Sequence, residues 1–147
     1  MTTEENKAVV RRYREMHNSH DLTHLDQVVS KELVSHALVP GLPTGIEGGK
    51  MAHGMFKSAF SDLHTHTEFM IAEGDMVIEW YTATGTHTGV FMGAPATGKK
   101  FSAESVVGYR LAGGKIVETW GLNDQFTVMV QLGMIPAPGQ PAGDHKH

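Results

Sequence analysis

The chain has 147 residues, 40% of them apolar and 19% charged, with a formal charge of -4 and no cysteine. That length fits one domain with a core that needs no staples. The missing thiols exclude disulfides, thiolate metal sites and a cysteine nucleophile, and interspersed charges without a basic stripe exclude nucleic acid as a partner. No apolar run approaches the ~18 residues of a membrane span. Met1 to Arg14 is charged and has no apolar signal core, so the expected compartment is the cytoplasm.

Thr3 to Ser19 reads as a helix, with Ala8, Val9, Tyr13 and Met16 at helical spacing. Thr2 or Thr3 stands where an N-cap is needed, and Glu4 and Glu5 suit the positive end of the helix dipole. Asp21 predicts a second, short helix carrying Leu22, Leu25, Val28 and Val29. Pro40, Gly41, Pro43, Gly45, Gly48 and Gly49 predict a loop. A third helix is expected from about Lys50 to Ala59, with Met51, Met55, Phe56 and Ala59 on its buried side.

From Leu63 the period changes from helical to alternating. His64 to Glu73, Met76 to Thr88, Phe101 to Ala112 and Lys115 to Leu122 read as strands. Gly74-Asp75 and Gly113-Gly114 fall at tight turns, and Gly89 to Lys100 is a longer connection. Asn123 or Asp124 stands at the cap of a last helix that runs to Gln131 and ends at Gly133. Pro136 opens a Pro/Gly/His tail (136–147) after a domain spanning 1–135. Helices followed by long antiparallel strands define an α+β protein. A sheet that curls over its N-terminal helices makes a cone-shaped barrel around an apolar pocket, the natural seat of a small hydrophobic ligand.

An ordered series of segments resembles the SnoaL-like polyketide cyclases of the nuclear transport factor 2-like superfamily. It comprises Phe60-Ser61-Asp62-Leu63-His64, Gly85-Thr86-His87-Thr88-Gly89, Pro95-Ala96-Thr97-Gly98-Lys99 and Gly114-Lys115-Ile116-Val117-Glu118, then Trp120, Asp124 and Gln131-Leu132-Gly133. The resemblance implies a metal-free, cofactor-independent acid/base enzyme of the cyclase, isomerase or lyase type, usually a homodimer or larger homo-oligomer. The alternative is a non-catalytic small-molecule binding domain on the same fold. Two positions depart from the family pattern: Thr119 stands where many relatives have histidine, and Trp80 where arginine is frequent.

Asp124 matches the family's catalytic aspartate, a proton relay, and is expected to point into the cavity, although its position before a helix alone reads as a cap. Strand parity with Glu118, Trp120 and Leu122 places Trp120 on the pocket wall if Asp124 faces the pocket. His36 is the polarising partner that the family pattern suggests, or a surface histidine. His87 is a rim or pocket residue, or packs. Trp80 and Tyr81 are adjacent on a strand, so one lines the pocket and the other packs outside. Tyr13 and Phe56 complete the expected substrate-binding set. His64, His66 and Glu68 alternate on one strand face, and the reading there is an outer surface or subunit interface, with no metal. Both faces of Met76 to Thr88 are substantially apolar, which predicts a homodimer through the outer face of the sheet.

Overall fold

The computed structural model describes residues 1–36 and 41–139. Helix α1 (Thr3–Ser19) occupies the span its periodicity predicts. A capping box starts it: the Thr2 hydroxyl accepts the Glu5 N–H at 3.1 Å, and the Glu5 carboxylate accepts the Thr2 N–H at 2.9 Å. His20 ends it in the left-handed conformation, φ 58°.

The second predicted helix does not form. Leu25–Gln27 make a single 3-10 turn, and Val29–His36 become strand β1. The apolar pairs Val28-Val29 and Leu33-Val34 fit a helix stripe and a strand equally. Pairing with a distant strand decides the matter. Helix α2 (Gly45–Ala59) starts five residues before the expected Lys50, through its glycines. Gly48 is needed there, because a Cβ would meet the Pro43 carbonyl oxygen at 1.9 Å. The helix buries Ile46, Gly48 and Ala59, whereas Met51 and Met55 are 50% and 54% exposed. The expected buried side is therefore corrected by part of a turn.

The strands β2 (His64–Glu73), β3 (Met76–Thr86), β4 (Lys100–Ala112) and β5 (Lys115–Asn123) follow the predicted order, and α3 (Gln125–Gln131) closes the chain's regular structure. The five strands form one sheet in the order β1-β5-β4-β3-β2. All neighbours are antiparallel except β1 and β5, which are parallel. Register shifts between Thr67 and Phe69, and between Arg110 and Leu111, mark irregularities that bend a sheet.

The concave face carries Val77, Glu79, Tyr81 and Ala83 from β3, and Phe101, Ala103, Ser105, Val107, Tyr109 and Leu111 from β4. Two apolar clusters sit on it. One joins Val10, Leu25, Val28, Ile46, Val77, Leu111 and Ile116; the other joins Phe60, Phe91, Phe101, Val128 and Leu132. Among the described residues no helix is long and apolar enough to cross a membrane. Pro40, Pro141, His145 and His147, assigned above to a loop and a tail, lie outside the described residues.

Candidate active site

Between the helices and the concave face lies a cavity of about 830 Å³. One wall is aromatic: Phe60 packs on Phe101 and Phe91 with ring centroids 4.7 and 5.0 Å apart, and Phe56 lies 6.2 Å from Phe91. Exposed Lys31, Glu32 and Val34 of β1 and Asn123 of β5 mark the mouth. At the closed end the lining turns polar, with Arg14, His17, His53, Tyr81 and Tyr109.

Arg14 anchors this end. Its Nε and Nη2 donate to the two carboxylate oxygens of Glu79 at 3.0 and 2.8 Å, a fork that fits only a guanidinium. Nη2 also donates to the Tyr109 hydroxyl at 3.1 Å, which in turn donates to Glu79 at 2.6 Å. Thr67 donates to the second carboxylate oxygen at 2.6 Å. Glu79 has no exposed surface. Burial pushes its pKa up, but the hydrogen bond and charge of Arg14, helped by Thr67 and Tyr109, outweigh that and hold it below the ordinary value. Burial raises the Tyr13 phenol to about 12 and Tyr109 well above its usual range. Both tyrosines are therefore neutral donors.

Two imidazoles face the same space. Burial, aided by the Arg14 charge and by His53, lowers His17 to about 3. Burial, with His20 and Arg14, lowers His53 to about 4. Both are neutral near pH 7. Their tautomers follow from acceptors that cannot donate. The Tyr13 carbonyl lies 3.2 Å from His17 Nδ1, so that nitrogen carries hydrogen and Nε2 is basic. The Leu63 carbonyl lies 3.0 Å from His20 Nε2, so that nitrogen carries hydrogen. In the tautomer that hydrogen defines, His20 Nδ1 accepts from His53 Nε2 at 3.1 Å, and His53 Nδ1 is left basic. The His17 and His53 rings meet edge to face at 4.7 Å. The site thus places two basic nitrogens, neutral phenols and a fixed cation around an apolar space.

A family model described as SnoaL-like polyketide cyclase matches residues 7–132, from the first turns of α1 through α3. The chain belongs to this family. Solved structures agree with the assignment. TsrD from Streptomyces laurentii matches with a TM-score of 0.84 at 24% identity, covering 92% of this chain and 99% of that one. AclR from Streptomyces galilaeus, a candidate hydroxylase, gives 0.82 at 28% identity, over 92% of this chain and 85% of its own. IdmH from Streptomyces antibioticus, a candidate polyketide cyclase, gives 0.78 at 29% identity, over 87% and 98%. The shared architecture is the curled α+β cone of the nuclear transport factor 2-like fold. No curated protein sequence matches the chain.

In this SnoaL-like chain the site residues read from the sequence fall into two groups. Tyr13, Phe56 and Tyr81 line the cavity. Asp124 does not point into it. It caps α3, accepting the Thr127 amide at 3.1 Å and the Thr127 hydroxyl at 2.5 Å, and these bonds lower its pKa. His36 is also outside, stacked on Trp120 at 5.1 Å with Nε2 2.7 Å from Glu118. Trp120 and Trp80 lie on the convex face; Trp80 stacks on Phe69 and donates to Glu104 at 3.0 Å. The parity of Glu118, Trp120 and Leu122 was correct and the face was not. A tightly curled sheet has room for a cavity only if its concave side carries small residues, here Gly121, Ala103 and Ser105. Both tryptophans, Trp80 and Trp120, go outside.

His87 is fully buried and holds the connection before β4, with Nδ1 3.0 Å from the Thr97 hydroxyl. It packs behind Phe60 and Phe91 and is absent from the cavity wall. His64, His66 and Glu68 are on the convex face, where Glu68 accepts from Thr82 at 2.9 Å. Among the described residues no group of three or more His, Asp or Glu is placed to hold a metal ion.

Sequence reasoning missed Arg14, His17, His53, Glu79 and Tyr109. One signal was present. Glu79 interrupts the apolar run Met76-Val77-Ile78-Glu79-Trp80-Tyr81, and a charge inside such a run must find a buried partner or not be buried.

Proposed function

We propose that the chain is a cofactor-independent acid/base enzyme of the cyclase, isomerase or lyase type, acting on a small hydrophobic, polyketide-like carbonyl compound. The observation that carries this is a pair of imidazoles, His17 and His53, each with one ring nitrogen that has no hydrogen-bond partner among the described residues, inside an apolar cavity. A general base must be unprotonated at working pH. His17 and His53 meet that requirement, yet their lowered pKa makes each a weak base. The C–H they attack must therefore be acidic, as it is between two carbonyl groups. The C–H electron pair moves into an enolate, and the proton rides on imidazole. In a cyclisation the enolate carbon attacks a second carbonyl of the same molecule. The imidazolium, a strong acid here, then protonates the new alkoxide and is restored. The aromatic wall keeps water from quenching the enolate.

The test uses benzoylacetone in D2O and follows deuterium uptake at its central methylene by NMR. The wild type is expected to accelerate exchange, and His53→Phe or His17→Phe to lower the rate by about a hundredfold, the range for loss of a general base. Asp124→Asn, which preserves the cap, should exchange at the wild-type rate. Binding without acceleration would make the chain a non-catalytic binding domain.

We also propose that a second copy of the chain covers the convex face. Phe69, Ile71 and Leu122 there are 47%, 60% and 68% exposed, around the Phe69–Trp80 stack. Closed two-fold pairing is the usual way to cover such a patch. Light scattering should give twice the 16.0 kDa chain mass. The Ile71→Lys/Leu122→Lys variant should give the single mass. A single mass for the wild type removes the dimer.

A further inference from the structure

We infer that the free edge of the Arg14 guanidinium is the oxyanion donor of the cavity, the group that receives a ligand carbonyl oxygen as it takes on negative charge. This rests on the acid/base reading above and assigns it a further residue.

A guanidinium has five N–H groups. Glu79 and Tyr109 take the one on Nε and both on Nη2. The two on Nη1 have no hydrogen-bond partner among the described residues. Nη1 is not sealed in protein either: the only sealed, unpartnered side-chain nitrogen or oxygen there is His87 Nε2. Since Arg14 lines the cavity, its open edge is the cavity edge. A pair serving stability alone has no use for this arrangement. Leaving a charged group's donors unpaired beside an apolar wall is costly, and a buried pair is in any case often replaceable by apolar residues at little loss.

The surroundings fix the direction of that edge. Thr67 on β2, Glu79 on β3 and Tyr109 on β4 lock the carboxylate that grips Arg14. The guanidinium carbon sits 4.3 Å from the Tyr81 ring centroid and 5.8 Å from that of Tyr13. Its partners lie on paired strands of the sheet, so the donor is in place before the ligand arrives. Glu79 balances the Arg14 charge, so a neutral carbonyl gains little there. A hydrogen bond to an oxyanion is stronger than one to a neutral carbonyl. The donor therefore favours the charged intermediate over the ground state, which is the condition for acceleration. His17 lies one turn further along α1 and His53 lies across from it on α2, so base and oxyanion donor share the closed end.

The probe is 4-nitrophenol, whose phenolate mimics an enolate oxygen and changes colour on ionisation. An apolar cavity alone would raise the pKa of the bound phenol. With Arg14 as donor the bound pKa should fall by about one unit, a tenfold preference for the phenolate. In Arg14→Gln/Glu79→Gln, which removes both charges together and keeps the side-chain shapes, the fall should disappear. If the wild type binds the probe with an unchanged or raised pKa, the donor role is overturned, and benzoylacetone exchange still decides the acid/base reading separately. A fall that survives the double variant but vanishes in His53→Phe or His17→Phe assigns the effect to imidazole and also overturns it. If exchange is absent while an Arg14-dependent fall is present, the donor stands and the acid/base reading falls. A wild type that does not bind the probe overturns the donor role.

Discussion

Glu79 and Glu118 make the same kinds of bond on opposite faces of one sheet. Glu79 meets Arg14 and two hydroxyls inside, where it has no exposure. Glu118 meets His36 and Arg110 outside, where its side chain is 27% exposed. The chemistry is alike and the consequences differ, because attraction between charges and the cost of leaving one unpaired both grow as water is removed. The inner pair can organise a cavity. The outer one is a solvated pair next to an indole.

The largest break in this comparison is Glu79→Ala. It leaves Arg14 buried without its counter-charge and should cost about 3–5 kcal/mol in urea unfolding. Arg14→Met/Glu79→Leu should recover much of that loss, since apolar replacement of a whole pair is tolerated. If Glu79→Ala unfolds like the wild type, the pair is not buried as described.

The next effect is acid lability. His17 is lowered from 6.5 to about 3 in the fold. As pH falls below 6.5 the unfolded chain takes the proton first. Stability is therefore full above that pH, declines on acidification, and has lost this contribution by about pH 3. Between pH 7 and pH 4 the loss should amount to a few kcal/mol. Glu79 adds a loss of the same sign at the acid end, as pH falls through its lowered pKa. His17→Leu should flatten the decline in a pH series of thermal melts, and an unchanged slope would place the imidazole in water.

Smaller still is Asp124→Ala. It removes a cap and should lower the urea midpoint slightly. It should leave benzoylacetone exchange at the wild-type rate, which makes it the sharpest contrast with the histidine variants. Glu118→Gln is last: an exposed pair contributes little to the urea midpoint, and the effect should shrink further in salt.

Much of the fold was legible because its signals are local. Helix α1 carries its own capping residues and apolar stripe, and β2 to β5 alternate between recognisable turns. The candidate site was less legible. Tyr13, Phe56 and Tyr81 were found from the size and spacing of apolar residues. Asp124, His36, Trp80 and Trp120 were assigned inward from a motif and from bulk, and all four are outside the cavity. Asp124 was open to two readings in the sequence, and its bonds to Thr127 select the cap.

By itself the sequence determined the α+β class, the α1 helix and the antiparallel order of the last four strands, since each depends on residues within a few positions of one another. Only the tertiary structure decided that Val29–His36 is a strand, which needs β5 beside it. It also decided which face of the sheet is concave. That choice follows from the curl of the whole sheet and from where small residues leave room, and parity along one strand does not encode it. The meeting of Arg14 with Glu79 spans 65 positions. A charge in an apolar run says that a partner is required; only the packing of α1 across the sheet says which one, because that partner is chosen by proximity in space.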